Sequence, residues 1–205
     1  KLEDKNKQAE VRKKFKLPKN YIFYPAMYLP HKNHRTLIDS LKILKDEKKM
    51  SNLKMVFCGN DTGYLSNLKK YAKNQSIDNE IYFLNFINDN DLPYLYIDSS
   101  ILVMPSLIGP TNIPPWEAFK MNKPVIYSEL NGIKEVLGDS VHYINPMNSS
   151  EIANSIKKIF EDSNYRKNLV EKGSLKLKKN MSENNFSSFF KIIENYRKYQ
   201  KTWVL

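Results

Sequence analysis

The chain has one cysteine and three histidines in 205 residues, and no apolar run near the ~18 residues of a membrane span. A single thiol excludes an internal disulfide framework. Cys58 lies in the apolar run Met55-Val56-Phe57-Cys58, where a small buried hydrophobe is expected. A nucleophile would need a basic partner, and none can be assigned along the chain. His31 and His34 stand three residues apart, but His142 is the only other imidazole, so a metal site lacks its third ligand and none is expected. Residues 1–16 are charged and have no apolar h-region, so no signal peptide is expected there. No fixed period recurs, which excludes a solenoid.

What is present suits one α/β domain, or one domain with an appendage: 41% of residues are apolar and 27% charged. Lysine and arginine number 33 against 22 acidic residues, for a net charge of +11. A solvated lysine-rich surface accounts for this, as does attraction to an anionic substrate or membrane face. The lysines are scattered rather than gathered into one stripe with aromatics, so no nucleic-acid partner is expected.

Short β-branched and aromatic runs predict six strands at residues 21–24, 53–58, 81–84, 101–104, 124–127 and 141–144. Helical spacing of apolar residues predicts helices near 34–48, 65–72, 92–96, 114–122, 131–137, 149–162, 164–180 and 183–199. Residues 1–20 read as a linker or short helix, with the segment Val11–Phe15 packing loosely. The alternation calls for a mostly parallel sheet covered on both faces.

In a doubly wound sheet of order 3-2-1-4-5-6, ligands sit at the carboxyl ends of strands 1 and 4. Two loops therefore matter. The first reads Tyr24-Pro25-Ala26-Met27-Tyr28-Leu29-Pro30-His31-Lys32-Asn33-His34. Its prolines favour an extended path, and Lys32 beside a helix N-terminus offers what a diphosphate needs. The second reads Gly109-Pro110-Thr111-Asn112-Ile113-Pro114-Pro115-Trp116-Glu117-Ala118. Its prolines pre-set a first helical turn, and Thr111 and Asn112 are cap-type residues. Glu117 either complements the helix dipole or accepts vicinal hydroxyls such as those of a ribose. The triplet Asp89-Asn90-Asp91 looks like a metal-binding DXD, but opening a short helix it is better read as a cap.

These blocks, in this order, resemble the donor-binding domain of glycosyltransferase family 4, a group of retaining enzymes with the two-domain GT-B fold. The likeness runs from about Tyr21 to Tyr196. It is carried by the Pro30-His31-Lys32-Asn33 turn, Val56-Phe57-Cys58-Gly59, the stretch from Phe83 to Ser106, and Pro114-Pro115-Trp116-Glu117-Ala118 through Ile126. The resemblance implies a Rossmann-like domain over 21–182, a preceding linker over 1–20, and a C-terminal helix over 183–205 that crosses to an acceptor domain upstream in the same polypeptide. It implies Lys32 and Glu117 as the residues of the chemistry, on the diphosphate and the ribose respectively. Gly59, Asn85, Phe86, Ile87 and Leu92 would line the nucleotide, and Gly109, Thr111, Asn112 and Ile113 would cover the diphosphate and sugar. The donor would be a UDP-, GDP- or ADP-sugar, with neither cofactor nor metal, and the acceptor a glycan or lipid-linked glycan. The setting would be cytoplasmic, with possible peripheral contact at an anionic membrane.

Two positions depart from the family pattern. The first glutamate of E-x7-E falls at Gly109, and the usual arginine after strand 1 is absent from Pro25-Ala26-Met27. A non-catalytic nucleotide-sugar or glycan-binding module, and a nucleotide-sugar epimerase of the same architecture, are the alternatives.

Overall fold

The computed structural model describes residues 4–47, 50–109 and 113–181. Its strands are β1 (Tyr21–Pro25), β2 (Lys54–Cys58), β3 (Ile81–Leu84), β4 (Ile101–Met104), β5 (Val125–Ser128) and β6 (His142–Ile144). All pair in parallel, in the order β3-β2-β1-β4-β5-β6. The chain starts in the middle of the sheet, winds out to β3, then crosses back to place β4 on the other side of β1. A doubly wound sheet of this order has its crevice where the chain reverses, between the loops after β1 and β4.

The helices are α1 (Lys5–Lys14), α2 (His34–Asp46), α3 (Leu65–Asn74), α4 (Leu92–Asp98), α5 (Pro114–Lys120), α6 (Ile133–Leu137), α7 (Ser149–Glu161) and α8 (Ser163–Asn180). Helix α2 packs on α3 and α7, while α4 packs on α1 and α5, and α5 on α8. These two sets cover the two faces of the sheet. Between them β1, β4 and β5 are wholly apolar and buried at Tyr21–Tyr24, Ile101–Met104 and Val125–Tyr127, as a parallel sheet covered on both faces requires. Each such side chain contributes ~1.5–3 kcal/mol by leaving water.

The strand and helix boundaries expected from the sequence hold to within a few residues. Helix α5 stops at Lys120, because Asn122 takes a left-handed φ of 53° ahead of Pro124. Of the two readings of the segment before β1, linker or short helix, the structure shows the helix. The segment forms the ten-residue helix α1, capped by the Asp4 carboxylate, which accepts from the amides of Asn6 and Lys7. Val11 is fully buried, and Lys14 Nζ lies 2.6 Å from Asp91 Oδ2. One buried valine leaves little trace in a hydrophobic pattern, and ion pairs across 77 residues leave none. The helix expected over 183–199 lies outside the described residues.

Candidate functional site

Beyond β1 the chain runs alongside the loop that follows β2. Ala26 N donates to the Cys58 carbonyl (2.9 Å) and Tyr28 N to the Asn60 carbonyl (3.1 Å). Gly59 makes this possible: a Cβ there would lie 2.3 Å from the Ala26 carbonyl oxygen. The Tyr28 hydroxyl then donates to the Leu84 carbonyl at 2.6 Å, tying the same loop to the end of β3. A 3-10 turn over Pro30–Lys32 and a left-handed Asn33 (φ 58°) deliver the chain into α2. The Asn33 amide donates to the carbonyls of Pro105 (3.0 Å) and Pro146 (2.7 Å), joining the loops after β1, β4 and β6.

Lys32 thus stands at the mouth of α2, a 13-residue helix with no side-chain cap. Its side chain is half-buried, and among the described residues no carboxylate pairs with its ammonium. Burial lowers its pKa, so an anionic ligand would relieve an unpaired charge. The first-turn N–H groups of α2 add positive potential at the same place.

On the β4 side, Ser106 is fully buried and Leu107 N donates to the His31 carbonyl at 2.9 Å. Gly109 has φ of 108°, a conformation that residues with side chains rarely adopt, and its carbonyl accepts from the Tyr127 hydroxyl at 3.0 Å. A glutamate at this position would be strained, so the departure from E-x7-E comes with a backbone that suits glycine. Glu117 projects from α5, and its Oε2 accepts from the Tyr96 hydroxyl at 2.6 Å. It lines a cavity of about 390 Å³ together with Leu92, Tyr96, Trp116 and Leu177.

After β3, Asn85 and Phe86 are exposed, Phe86 at 65%, while Ile87 is buried and Leu92 half-buried at the start of α4. The Asp89–Asp91 triplet does not cap that helix through its aspartates. The Asn88 side chain accepts from Asp91 N (2.9 Å), and the buried Asp91 carboxylate turns to Lys14 of α1. The hydrogen bond from Lys14 lowers the Asp91 pKa. Capping fails here because a buried carboxylate is held better by an ammonium than by a backbone amide.

Lys32, Gly59, Asn85, Phe86, Ile87, Leu92, Gly109, Ile113 and Glu117 all lie on loops, or helix starts, at the carboxyl end of the sheet. Thr111 and Asn112 lie outside the described residues. Exposed Met27, Phe86, Ile108, Ile113 and Met147 give this end an apolar rim. Burial raises the Cys58 thiol to about 12, in keeping with a packing role. His34 is sealed among Tyr24, Tyr28 and Phe57 and lowered to about 3, chiefly by burial. Among the described residues no three His, Cys, Asp or Glu side chains gather as a metal site requires. The residues that local patterns missed are Tyr24, Asn33, Tyr96, Ser106 and Tyr127. Their one signal is a hydroxyl or amide in or beside an apolar run, which must find a partner once buried. A second hollow of about 440 Å³ lies near Ser99, Lys123 and Lys167, away from these loops. There Lys123 and Arg166 are already engaged by the carbonyls of Ile97, Ile159 and Phe160.

The fold is a doubly wound α/β domain whose switch point lies between its β1 and β4 loops. The family model described as "Glycosyl transferases group 1" matches residues 6–176, and the chain belongs to that family. It is 31% identical over 154 residues to the O-antigen chain mannosyltransferase RfbU of Salmonella typhimurium, covering 75% of this chain and 42% of that protein. It is 26% identical to the O-antigen chain mannosyltransferase B of Escherichia coli, covering 85% of this chain and 46% of that protein. The chain thus spans less than half the length of these curated relatives. Among solved structures it resembles the C-terminal domain of a group 1 glycosyl transferase, LpcC of Francisella tularensis. That match has a TM-score of 0.71 and 22% identity, covering 85% of this chain and 92% of that one. It also resembles Anabaena Alr3699/HepE in complex with UDP, with TM-score 0.77 and 18% identity, covering 95% of this chain and 53% of that one.

Proposed function

We propose that this chain is the donor-binding half of a retaining glycosyltransferase that moves a sugar, with mannose the first candidate, from a nucleoside diphosphate to a growing glycan or lipid-linked glycan. The observation that carries the reading is Lys32. It is a half-buried ammonium with no partner among the described residues, at an uncapped helix start, on a loop bonded to the one that leads to Glu117. In this reading Lys32 and the α2 amides hold the diphosphate and take up the charge that develops as the anomeric bond breaks. Glu117 holds the ribose hydroxyls, and Phe86, Ile87 and Leu92 border the base. The acceptor then attacks from the face the diphosphate leaves. Mannose is favoured by the names of the O-antigen relatives, and a nucleoside diphosphate by the UDP complex of the Anabaena protein.

The apolar rim fits a second domain of the same polypeptide, which would supply the acceptor site. The likeness to an isolated C-terminal domain supports that arrangement. Among the described residues no helix is long and apolar enough to cross a membrane. We place the reaction in the cytoplasm, with the net charge of +11 favouring the anionic inner face of the membrane.

The test is donor turnover by the full-length protein with UDP-, GDP- and ADP-sugars and a membrane glycolipid fraction as acceptor. One donor should be consumed with transfer, and Lys32→Ala should cut the rate by ~100-fold or more. Saturable donor binding with no transfer to any acceptor would favour a binding module instead.

A further inference from the structure

Helix α4 carries a tyrosine that local patterns did not single out. The Tyr96 ring is 1% exposed and meets the Phe23 ring edge-on at 4.8 Å. Its stretch of helix is anchored to the sheet, since the neighbouring Leu95 carbonyl accepts from the Tyr21 hydroxyl at 2.6 Å. The ring therefore has little freedom, and its hydroxyl meets Glu117 Oε2 at 2.6 Å. Burial and the nearby Glu117 charge raise the phenol well above its ordinary value, so it stays protonated and donates. A carboxylate has two oxygens with about four acceptor positions. One bond on Oε2 leaves further acceptor positions on the carboxylate, which lines the cavity.

We propose that Tyr96 is the positioning residue for Glu117, fixing one carboxylate oxygen so that the other meets the ribose hydroxyls of the donor nucleotide in a single geometry. The proposal rests on the reading of Glu117 as the ribose acceptor. A partly buried glutamate with no such tie samples several rotamers, and ordering it on binding costs entropy. A charge-assisted bond from a rigid buried donor removes most of that cost in advance. Tyr96 thus acts through Glu117 and need not touch the nucleotide itself.

The test compares ribonucleotide with 2′-deoxyribonucleotide binding on the full-length protein by calorimetry. UDP, GDP and ADP are the probes, followed by the 2′-deoxy counterpart of whichever binds. The wild type should prefer the ribonucleotide by about tenfold, and Glu117→Gln should remove the preference. Tyr96→Phe should shrink it to about threefold while leaving the 2′-deoxynucleotide affinity within about twofold of wild type. A preference that stays near tenfold in Tyr96→Phe but vanishes in Glu117→Gln would overturn the positioning role alone. Equal losses for both nucleotides in Tyr96→Phe would reduce Tyr96 to packing and overturn it too. A preference unchanged in Glu117→Gln, or no binding of any of the three at millimolar concentration, would remove the ribose reading and this proposal together. If Tyr96→Phe does not fold, 3-fluorotyrosine at position 96 provides the check. Its fluorine resonance should move with the ribonucleotide and not with the 2′-deoxynucleotide, and equal responses would count against the proposal.

Discussion

The Tyr24 hydroxyl lies 2.8 Å from Ser106 Oγ and donates to the Lys32 carbonyl, also at 2.8 Å, so one buried phenol at the end of β1 joins the two loops that frame the crevice. Neither loop is long enough to have a core of its own, and such ties are what give the crevice a fixed width. Tyr24→Phe should leave the ring packing intact and strand the Lys32 carbonyl and the Ser106 hydroxyl. Chemical denaturation should show a loss of about 1–3 kcal/mol, the cost of unpaired buried polar groups. Nucleoside diphosphate binding should weaken several-fold with it.

Lys32 is held where burial disfavours its charge, which is expected of a group kept for a ligand rather than for the fold. Lys32→Met should leave the melting temperature unchanged or raised. The same substitution should weaken nucleoside diphosphate binding by ~10-fold or more, with nucleoside binding affected much less. Equal losses for diphosphate and nucleoside, read by calorimetry, would place Lys32 away from the phosphates.

Gly59 is needed for contact rather than for an unusual φ. A methyl group there would meet three backbone atoms of Ala26 and Met27 within 2.8 Å, and backbone cannot rotate aside. Gly59→Ala should cost about 1–3 kcal/mol in denaturation and displace the Met27–Lys32 loop, as overpacking does. Amide chemical shifts that stay put across residues 26–33 would contradict this.

His34 sets a pH dependence. Its folded pKa of about 3 lies below the ordinary 6.5, so the unfolded chain binds the proton first. The contribution to stability is complete above pH 6.5 and is lost as pH falls from there towards 3, at up to about 1.4 kcal/mol per pH unit. Lys32 adds to this shift, and His142 is lowered in the same direction. Denaturation midpoints measured between pH 7 and pH 5, where most carboxylates remain ionised, should fall. His34→Phe should flatten that slope in part, leaving the share due to His142.

Much of the architecture was legible in advance because buried parallel strands announce themselves. Tyr21–Tyr24, Ile101–Met104 and Val125–Tyr127 have no polar side to alternate, and the helices between them carry clear apolar stripes. The loops after β1 and β4 stood out for the same topological reason, and the described residues named there lie at the carboxyl end of the sheet. Side-chain partnerships were not legible. Asp91 could be recognised as a helix-start carboxylate, but only the docking of α1 shows that it answers Lys14 rather than its own helix. Tyr96 reads as one more aromatic in an apolar stretch, and its bond to Glu117 spans 21 residues across two helices. Gly109 reads as a missing glutamate, whereas its φ shows a backbone built around glycine.

The proposed function depends on a nucleoside diphosphate occupying the crevice between the β1 and β4 loops. A crystal structure of the full-length protein with whichever of UDP, GDP or ADP binds most tightly tests it directly. The diphosphate is expected at Lys32 and the first turn of α2, with both ribose hydroxyls on the Glu117 carboxylate. A nucleotide lodged instead in the hollow beside Ser99, Lys123 and Lys167, with Lys32 and Glu117 untouched, would contradict it.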